Sequence, residues 1–432
     1  MFKFHPTPAA IVNGIIKKHI PKSARQVLEP AFGDGALLGG VDLEKCEVTC
    51  VDIDIDKVKN AQKVFWNKEI KFVHSDFVQV KLQRESFDLV ICNPPFDGRK
   101  LTEYNEEKLP VEAVFLQKSI DVCKPKGRLI FVLPSSVVQG TRLSLFRRNL
   151  LSHLSLAYCY KLDRFCFKGI EGSFSVLVFD KLKRQNRKTN FISSSGERFS
   201  CKVGAHLDSY SFDADENLAA KEFRDFIGLQ ALSFKRFNEI ACLYRGKVTR
   251  DYGSSAFFHT SDAKENFTRK LTKFHKNITT EKDVIFPGEI YIKRVSRGIS
   301  DSISVYGQVP KKFTDCILKI TPTAKLNIPQ VMFALMVTLQ REEVKQLIEK
   351  GSGAKYLDSK TFSTLAVPTK LHIFFPKLYM KFCSEDHHGR IVIAKRVNML
   401  LNSDWEKYTN KCTTGDCDII KDRDVMTTVL AQ

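Results

Sequence analysis

The residues Asn93-Pro94-Pro95-Phe96 combine side chains and a backbone geometry that could do chemistry. They follow an apolar run, residues 87–92, that predicts a buried strand of a parallel sheet. Two consecutive prolines must end that strand, because neither has an N–H to donate. An amide side chain, free carbonyls and an aromatic ring then stand at the carboxyl end of a strand, where open α/β sheets bind ligands.

The chemistry that this turn suits is the activation of an amine. The Asn93 side-chain oxygen and a proline carbonyl are two fixed acceptors, and together they can hold both hydrogens of a planar NH2 group. Holding them draws the nitrogen toward tetrahedral geometry, while Phe96 can stack on the heterocycle that carries the amine. The motif resembles that of amino-methyltransferases, and its Asn-Pro-Pro-aromatic form resembles the adenine-N6 enzymes in particular. An ordinary turn that ends a strand would explain the same four residues.

A short strand, a glycine-rich loop and the start of a helix are predicted over residues 26–38. Gly33 and Gly35 allow a ligand to come close to the backbone. Leu38 occupies the third glycine position of a dinucleotide fingerprint, which disfavours NAD. The acidic Glu29, just after the strand, suits a cationic ligand such as a sulfonium amino acid.

The next predicted strand, residues 47–51, ends in Asp52. A carboxylate about 20 residues after a glycine-rich loop can accept from both hydroxyls of a ribose. Asp54 and Asp56 lie close by, but they are better placed to cap the following helix. Asp52 is therefore the favoured ribose ligand.

Two further segments complete the set. A third predicted strand, residues 70–77, carries at its end Asp76, which could accept from an adenine amine, and Phe77, which could cover the ring. Near the N-terminus, Thr7 and Pro8 predict the cap and the first position of an amphipathic helix.

These motifs come in the order of the γ-class DNA adenine methyltransferases, and the resemblance covers roughly the first 180 residues. It departs from the family at Phe32, where many relatives carry Cys or another small residue. The resemblance implies an α/β fold: a Rossmann-like class I methyltransferase domain with a mostly parallel twisted sheet, followed by an α+β target-recognition domain. It also implies S-adenosylmethionine as cofactor and catalysis by residues 93–96. The implied cofactor contacts are Thr7, Pro8, Glu29, Ala31, Gly33, Gly35, Asp52, Ile53, Asp76, Phe77 and Asn93.

The family also has an aromatic residue in the loop before the last strand of the domain, where it packs on the other face of the extruded base. Phe167 is the candidate in this sequence, and Phe165 is the second choice. A role in the hydrophobic core is nearly as consistent with either residue.

The charge of the chain indicates a polyanionic partner. Lys and Arg number 68 against 49 acidic residues, a net charge of +19, which favours nucleic acid but is also compatible with a basic protein that is merely soluble. Beyond residue 190, basic and aromatic residues interleave, and the order of segments resembles the target-recognition domains of restriction-modification systems. The DNA-binding candidates are Arg245, Lys247, Lys293, Arg294 and Arg297. For any single one of them, a solvated basic face is an adequate explanation.

Three segments are predicted: a catalytic domain over residues 1–183, a target-recognition domain over 184–375, and a helical and polar C-terminal extension over 376–432. A polar, strongly basic stretch at 181–188 marks the first boundary.

Other functional classes find little support. The 12 cysteines form no CxxC pair, and the neighbouring His387 and His388 indicate a surface cluster rather than a metal site, so no metal is expected. The Glu-x-Lys spacing of restriction nucleases is missing after Glu289. No signal-peptide core or membrane-spanning run is recognised, so a cytoplasmic, DNA-associated monomer is expected.

The sequence thus predicts a sequence-specific methyltransferase that acts on the N6 amine of adenine in double-stranded DNA by base flipping. A separately encoded restriction endonuclease is a further candidate partner. An RNA adenine methyltransferase or a protein-glutamine methyltransferase could use the same turn. A DNA-binding protein on a degenerate methyltransferase fold is the non-catalytic alternative.

Overall fold

The computed structural model describes residues 5–96, 100–101, 109–167, 172–182, 188–204, 209–230, 232–248, 257–263, 271, 281–323, 326–351 and 355–403. The chain divides into two compact units, unit 1 (Met1–Arg224) and unit 2 (Asp225–Gln432). Among the described helices, none has the length and apolar character needed to cross a membrane.

Unit 1 is built on a nine-stranded sheet. In chain order the strands of unit 1 are β1 (Gln26–Glu29), β2 (Glu47–Asp52), β3 (Ile70–His74), β4 (Phe87–Cys92), the short pair β5 (Lys100–Leu101) and β6 (Leu109–Pro110), β7 (Cys123–Pro134), β8 (Ser155–Lys161), β9 (Phe174–Asp180), β10 (Thr189–Ile192) and β11 (Arg198–Cys201). The order across the large sheet is β11-β10-β8-β9-β7-β4-β1-β2-β3. The strands β7, β4, β1, β2 and β3 are parallel neighbours, whereas β9 runs antiparallel to both β7 and β8.

Helices cover both faces of this sheet. They are α1 (Ala9–Gly14), α2 (Ile55–Val64), α3 (Val111–Val122), α4 (Ser135–Val138) and α5 (Ser144–His153), with 3-10 helices at Ile16–His19 and Ala36–Gly40. A further helix, α6 (Ala214–Leu229), begins in unit 1 and continues past its last residue, Arg224. Neighbouring residues of β1 belong to different hydrophobic clusters. Leu28 packs in the cluster that contains residues of α3, and Val27 packs in the cluster that contains residues of α1. The central strands are therefore apolar on both sides, as their unbroken hydrophobic runs predict.

The predicted strands before residue 183 are present, and the helix predicted after the glycine-rich loop is a 3-10 helix. One local prediction differs from the structure: the N-cap of α1 is Pro8, not Thr7, and no side chain caps that helix.

The predicted boundary between residues 183 and 184 lies outside the described residues, but strands on both sides of it belong to one sheet. The strand β10 pairs in parallel with β8, and β11 pairs with β10. The basic stretch at 181–188 thus joins two strands of unit 1, and the compact unit extends to Arg224. A polar connection between two strands has the same composition as a linker between domains.

Unit 2 combines small sheets with helices. Its strands are β12 (Phe234–Arg236), β13 (Ala241–Arg245), β14 (Phe257–Phe258), β15 (Val284–Ile285), β16 (Ile290–Lys293), β17 (Val295–Ser296), β18 (Ser304–Val305), β19 (Lys311–Phe313), β20 (Ile317–Pro322), β21 (Glu349–Lys350), β22 (Lys355–Leu357) and β23 (Ala366–Pro368). They form a four-stranded sheet, β13-β20-β16-β18, two three-stranded sheets, β14-β19-β15 and β17-β22-β21, and the pair β12-β23. The α+β class expected for this part of the chain is consistent with this arrangement.

The helices of unit 2 are α7 (Phe237–Ile240), α8 (Ile328–Leu339), α9 (Glu342–Ile348), α10 (Ser359–Thr364), α11 (Leu371–Phe374), α12 (Pro376–Ser384) and α13 (His387–Asn402). Residues 328–348 form two consecutive helices, α8 and α9. The helix predicted in the C-terminal extension is part of α13, which packs against the buried α8. The helices α12 and α13 therefore pack onto the core of unit 2, whereas the polar tail from residue 404 lies outside the described residues.

Candidate active site

A pocket opens in unit 1 at the carboxyl ends of β1, β2 and β4. The predicted site residues that line it are Thr7, Glu29, Ala31, Gly33, Asp52, Ile53, Asp76, Phe77, Asn93, Pro94, Pro95 and Phe96. Pro8, Gly35 and Phe167 are not among its lining residues, whereas His5, Asp34, Lys57, Val111 and Phe115 line it without having been predicted. Lys57 could have been found, since it lies on the first turn of the helix that Asp54 was expected to cap, and it forms an ion pair with Asp34.

The orientation of the Asn93 amide follows from its two partners. Its Nδ2 donates hydrogen bonds to the backbone oxygen of His5 and to Oγ1 of Thr7, both at 3.0 Å. A carbonyl oxygen can only accept, so the NH2 end of the amide must face residues 5–7. The opposite atom, Oδ1, is buried and has no hydrogen-bond partner among the described residues. A buried acceptor of this kind costs about 1–3 kcal/mol, which a donor on a bound molecule would recover.

Glu29 is the second residue with an unpaired buried oxygen in the pocket. Glu29 is the last residue of β1 and is 1% exposed. Its Oε2 has no hydrogen-bond partner among the described residues. Burial, followed by the negative charge of Asp52, raises the pKa of Glu29 well above its usual value. The site therefore favours a cation or a hydrogen-bond donor beside this carboxyl group.

Asp52 ties the end of β2 to the glycine-rich loop. Its Oδ2 accepts from the backbone N–H of Gly33 at 2.7 Å, and its Oδ1 accepts from Asp54 N at 2.9 Å. Each carboxylate oxygen keeps a second lone pair, so Asp52 can still bind hydroxyl groups. Asp54 caps α2, as expected, by accepting from two backbone N–H groups of its first turn.

The loop itself needs both of its glycines in the left-handed region. The φ angles of Gly33 and Gly35 are 59° and 74°. A Cβ atom on Gly35 would also lie 2.8 Å from the ring of Phe32. Phe32, the residue that departs from the family pattern, is thus packed directly under the loop.

Residues of α3 hold the segment that follows β3 in place. Asp76 Oδ1 accepts from Val78 N at 2.8 Å. The ring of Phe77 is 2% exposed and packs against Phe115, with the ring centroids 5.0 Å apart. Lys118 donates to Val78 O at 2.9 Å and places its ammonium group 5.0 Å from the centre of the Phe77 ring. Lys118 was not predicted, because only the packing of α3 brings it to this loop.

The aromatic residues beside the Asn-Pro-Pro turn form a cluster. The ring centroid of Phe96 lies 5.0 Å from that of Phe174 and 6.3 Å from that of Phe167, in an edge-to-face arrangement with the latter. Phe167 is 2% exposed, and this contact leaves no space for a base between it and Phe96. The structure therefore places the predicted stacking residue in the core. Phe165, the second choice, is 71% exposed.

The predicted DNA-binding residues of unit 2 are in different environments. Arg245 and Arg294 each donate from Nη2 to Asp315 Oδ2 at 3.0 Å, but the Arg294 side chain is 18% exposed and that of Arg245 is 52% exposed. Burial alone would raise the pKa of Asp315, but the hydrogen bond from Arg245 and the charges of both guanidinium groups outweigh it and lower that pKa. Arg294 thus mainly binds Asp315 within unit 2.

The remaining three residues of that set differ in accessibility. Lys247 is 65% exposed and pairs with Asp283 at 3.0 Å. Lys293 is half-buried, and its backbone N–H donates to Ser302 Oγ, while Arg297 is exposed.

Comparison with known proteins agrees with the fold and the motifs. Residues 37–167 match the model of the Eco57I restriction-modification methylase family. A tRNA1(Val) (adenine(37)-N6)-methyltransferase of Glaesserella parasuis serovar 5 (strain SH0165) is 26% identical over 174 residues, 37% of this chain and 70% of that protein. The type II methyltransferase M.AccI of Acinetobacter calcoaceticus is 24% identical over 163 residues, 33% of this chain and 29% of that protein. The solved structure of the type IIG restriction endonuclease BpuSI is 14% identical with a TM-score of 0.45, over 92% of this chain and 66% of that chain.

The mostly parallel sheet, the motifs and the family match over residues 37–167 together make unit 1 an S-adenosylmethionine-dependent methyltransferase domain with the class I fold. Its motif set is that of the γ-class methyltransferases of restriction-modification systems, so the resemblance inferred from the sequence is confirmed. The pocket fits this cofactor, because its lining combines the glycine-rich loop, the Asp52 carboxylate and a buried Glu29 oxygen that has no partner among the described residues.

Proposed function

We propose that this protein is a sequence-specific DNA methyltransferase that methylates the N6 amine of adenine. The observation that carries the proposal is the Asn93 amide, whose donor end is bound to residues 5–7 and whose buried oxygen has no partner among the described residues. An acceptor fixed in this way suits an amine hydrogen of the substrate.

The residues of the turn act on the amine. When bound, S-adenosylmethionine would supply the methyl group: the bond from sulfur to this methyl would break as the bond to N6 forms, and the proton that N6 then loses would pass to water. Asn93 Oδ1 and the carbonyl of Pro94 accept the two amine hydrogens, which localises the nitrogen lone pair for attack. Phe96 stacks on the base, and this contact offsets part of the few kcal/mol that extrusion of the base from the duplex costs.

Other lining residues would hold the cofactor. Glu29 would bind the ammonium group of its amino-acid end, and the backbone of Gly33 would lie close to its chain. Asp52, whose oxygens already accept from Gly33 and Asp54, would accept from the ribose hydroxyls with its remaining lone pairs, and Asp76 would accept from the adenine amine.

DNA is proposed as the substrate because a second unit with exposed basic residues follows the catalytic unit in a chain of net charge +19. In that unit, phosphate contacts would position the duplex and a few side chains would read base edges. The tRNA methyltransferase relative favours a second candidate, RNA adenine N6, and its alignment covers 37% of this chain.

The test uses the purified full chain with radiolabelled S-adenosylmethionine. Unmethylated plasmid DNA, bulk tRNA, ribosomal RNA and a mixed protein fraction are offered separately, and the DNA and RNA products are digested to nucleosides and identified by mass spectrometry. The proposal expects N6-methyldeoxyadenosine, made by the wild-type protein but not by Asn93→Ala. Transfer to RNA or protein alone would contradict it. Modified-base sequencing of the methylated plasmid then identifies the recognition site.

A further inference from the structure

Thr7 has a buried hydroxyl whose observed partner is not the one that its position predicts. A threonine just before a proline at the start of a helix usually caps that helix. Here the N-cap is Pro8, and no side chain accepts from the first turn of α1. Thr7 is 5% exposed, and its Oγ1 instead accepts a hydrogen bond from Asn93 Nδ2 at 3.0 Å.

Two contacts together fix the plane of the Asn93 amide. Its NH2 group has two hydrogens, and the two acceptors are His5 O and Thr7 Oγ1, both in a segment more than 80 residues earlier in the chain. The terminal torsion of an asparagine side chain is broad, so one hydrogen bond would leave the amide free to swing about that bond. With two, Oδ1 can point in one direction only.

We infer that Thr7 is a positioning residue for methyl transfer: its hydroxyl holds the Asn93 amide with Oδ1 toward the substrate amine before the substrate arrives. This inference rests on the proposed role of Asn93 and deepens it. The acceptor is preorganised by a segment that precedes the glycine-rich loop, and no rearrangement is needed when the amine enters. A group that is misplaced by about 1 Å can lose up to about 100-fold in rate, so the positioning segment matters to the rate.

The test compares three variants of the full-length protein. Thr7→Val removes the hydroxyl at nearly constant shape, and Thr7→Ser keeps it. Thr189→Val is the matched control, because Thr189 is also a buried threonine of unit 1 and its hydroxyl donates to a backbone carbonyl, that of Leu156. For each variant, kcat is measured with saturating nucleic acid and cofactor. The Kd for S-adenosylhomocysteine is measured by calorimetry, which reports on the cofactor side of the pocket without turnover.

The expected result is a kcat about 10-fold lower for Thr7→Val, within about 2-fold of wild type for Thr7→Ser, and unchanged for Thr189→Val. The fall in kcat should exceed any change in Kd. A Thr7→Val protein with wild-type kcat and a weakened Kd would overturn the inference and leave Thr7 as a cofactor contact only. If Thr7→Val does not fold, Thr7→Ala takes its place, since the smaller side chain introduces no clash.

A double-mutant comparison shows whether Thr7 acts through Asn93. In single-turnover experiments, adding Thr7→Val to an Asn93→Ala background should reduce the rate no further. Additive effects would overturn the inference. The nucleic acid used is whichever one the wild type methylates, so a finding that RNA is the substrate would contradict the proposed function and leave this test intact.

Discussion

The carboxylate of Asp52 accepts a 2.7 Å hydrogen bond from the backbone N–H of Gly33, so the end of β2 holds the glycine-rich loop that follows β1. The strands β1 and β2 are parallel neighbours, which brings the loop after β1 and the carboxylate at the end of β2 to the same edge of the sheet. The proposed ribose ligand therefore also shapes the loop that approaches the cofactor.

The first prediction follows from this double role. Asp52→Ala should weaken S-adenosylmethionine binding by more than the loss of one ribose hydrogen bond would, because the hydrogen bond to the glycine-rich loop is lost as well. Each hydrogen bond to a charged group contributes about 1.5–3 kcal/mol. Asp52→Asn keeps one acceptor and should fall between Ala and wild type. Calorimetric titration measures all three. Unchanged affinity in Asp52→Ala would move the ribose contact to Asp54 or elsewhere.

The second prediction concerns catalysis. Asn93→Ala should lower the rate of methyl transfer about 100-fold or more, because a polar contact to the reacting group is lost. Affinity for S-adenosylmethionine should stay close to that of the wild type, since Oδ1 faces the substrate amine. The two are compared by single-turnover kinetics and calorimetry. An equal loss of affinity and rate would show that Asn93 acts mainly on the cofactor.

The third prediction is a pH dependence of cofactor binding. Burial and the charge of Asp52 raise the pKa of Glu29 in the free protein, and a bound ammonium group should lower it again. Between the lowered and the raised pKa, binding must therefore release a proton, and affinity should increase as the pH rises. Calorimetry in buffers of different ionisation enthalpy measures the proton count.

Glu29→Gln is the control for that experiment, since it keeps the shape and cannot titrate. It should bind more weakly and with no proton release from this site. An unchanged proton count in Glu29→Gln would mean that another group is responsible. For stability the sign is opposite: because the folded-state pKa is raised, burial of Glu29 costs stability increasingly as the pH rises above the ordinary carboxyl range.

The fourth prediction separates Phe165 from Phe167. Phe167→Ala should mainly lower the free energy of unfolding, by about 3–5 kcal/mol, because the ring is in the core. Phe165→Ala should leave stability nearly unchanged and weaken the capture of an extruded base, measured by the fluorescence of 2-aminopurine at the target position. If Phe165→Ala behaves like the wild type in that assay, the second face of the base is covered by another residue.

The fifth prediction distinguishes the roles of Arg245 and Arg294, the two arginines that bind Asp315. Arg294→Ala should lower the denaturation temperature, because the largely buried Asp315 loses a charged partner. Arg245→Ala should be milder in stability and should weaken DNA binding. A phosphate contact would weaken all sequences alike and reduce the salt slope by about 1, whereas a base contact would cost about 1–3 kcal/mol on the cognate site only.

Filter binding on cognate and scrambled duplexes at several salt concentrations distinguishes these cases. Lys247→Ala is the comparison for an exposed cation with a carboxylate partner, Asp283. If Arg245→Ala binds every duplex with wild-type affinity, Arg245 only forms an ion pair within the fold and does not contact DNA.

Local patterns in the sequence determined the strands of the catalytic unit, the glycine-rich loop and the turn that carries Asn93. These features depend on residues that are adjacent in the chain: apolar runs predict buried strands, prolines end them, and glycines permit positive φ angles. Since the carboxyl ends of parallel strands meet at one edge, the grouping of Glu29, Asp52 and Asn93 could be inferred as well.

Only the tertiary structure decided which side chains are bound to one another. The bond between Thr7 and Asn93 joins residues 86 positions apart, and the packing of Phe167 against Phe96 depends on the loop before β9. The extent of unit 1 was likewise decided by the pairing of β10 with β8 across a stretch that reads as a linker. The physical reason is that composition and periodicity report how a segment is buried, whereas hydrogen bonds and ring contacts between distant segments depend on strand register and close packing.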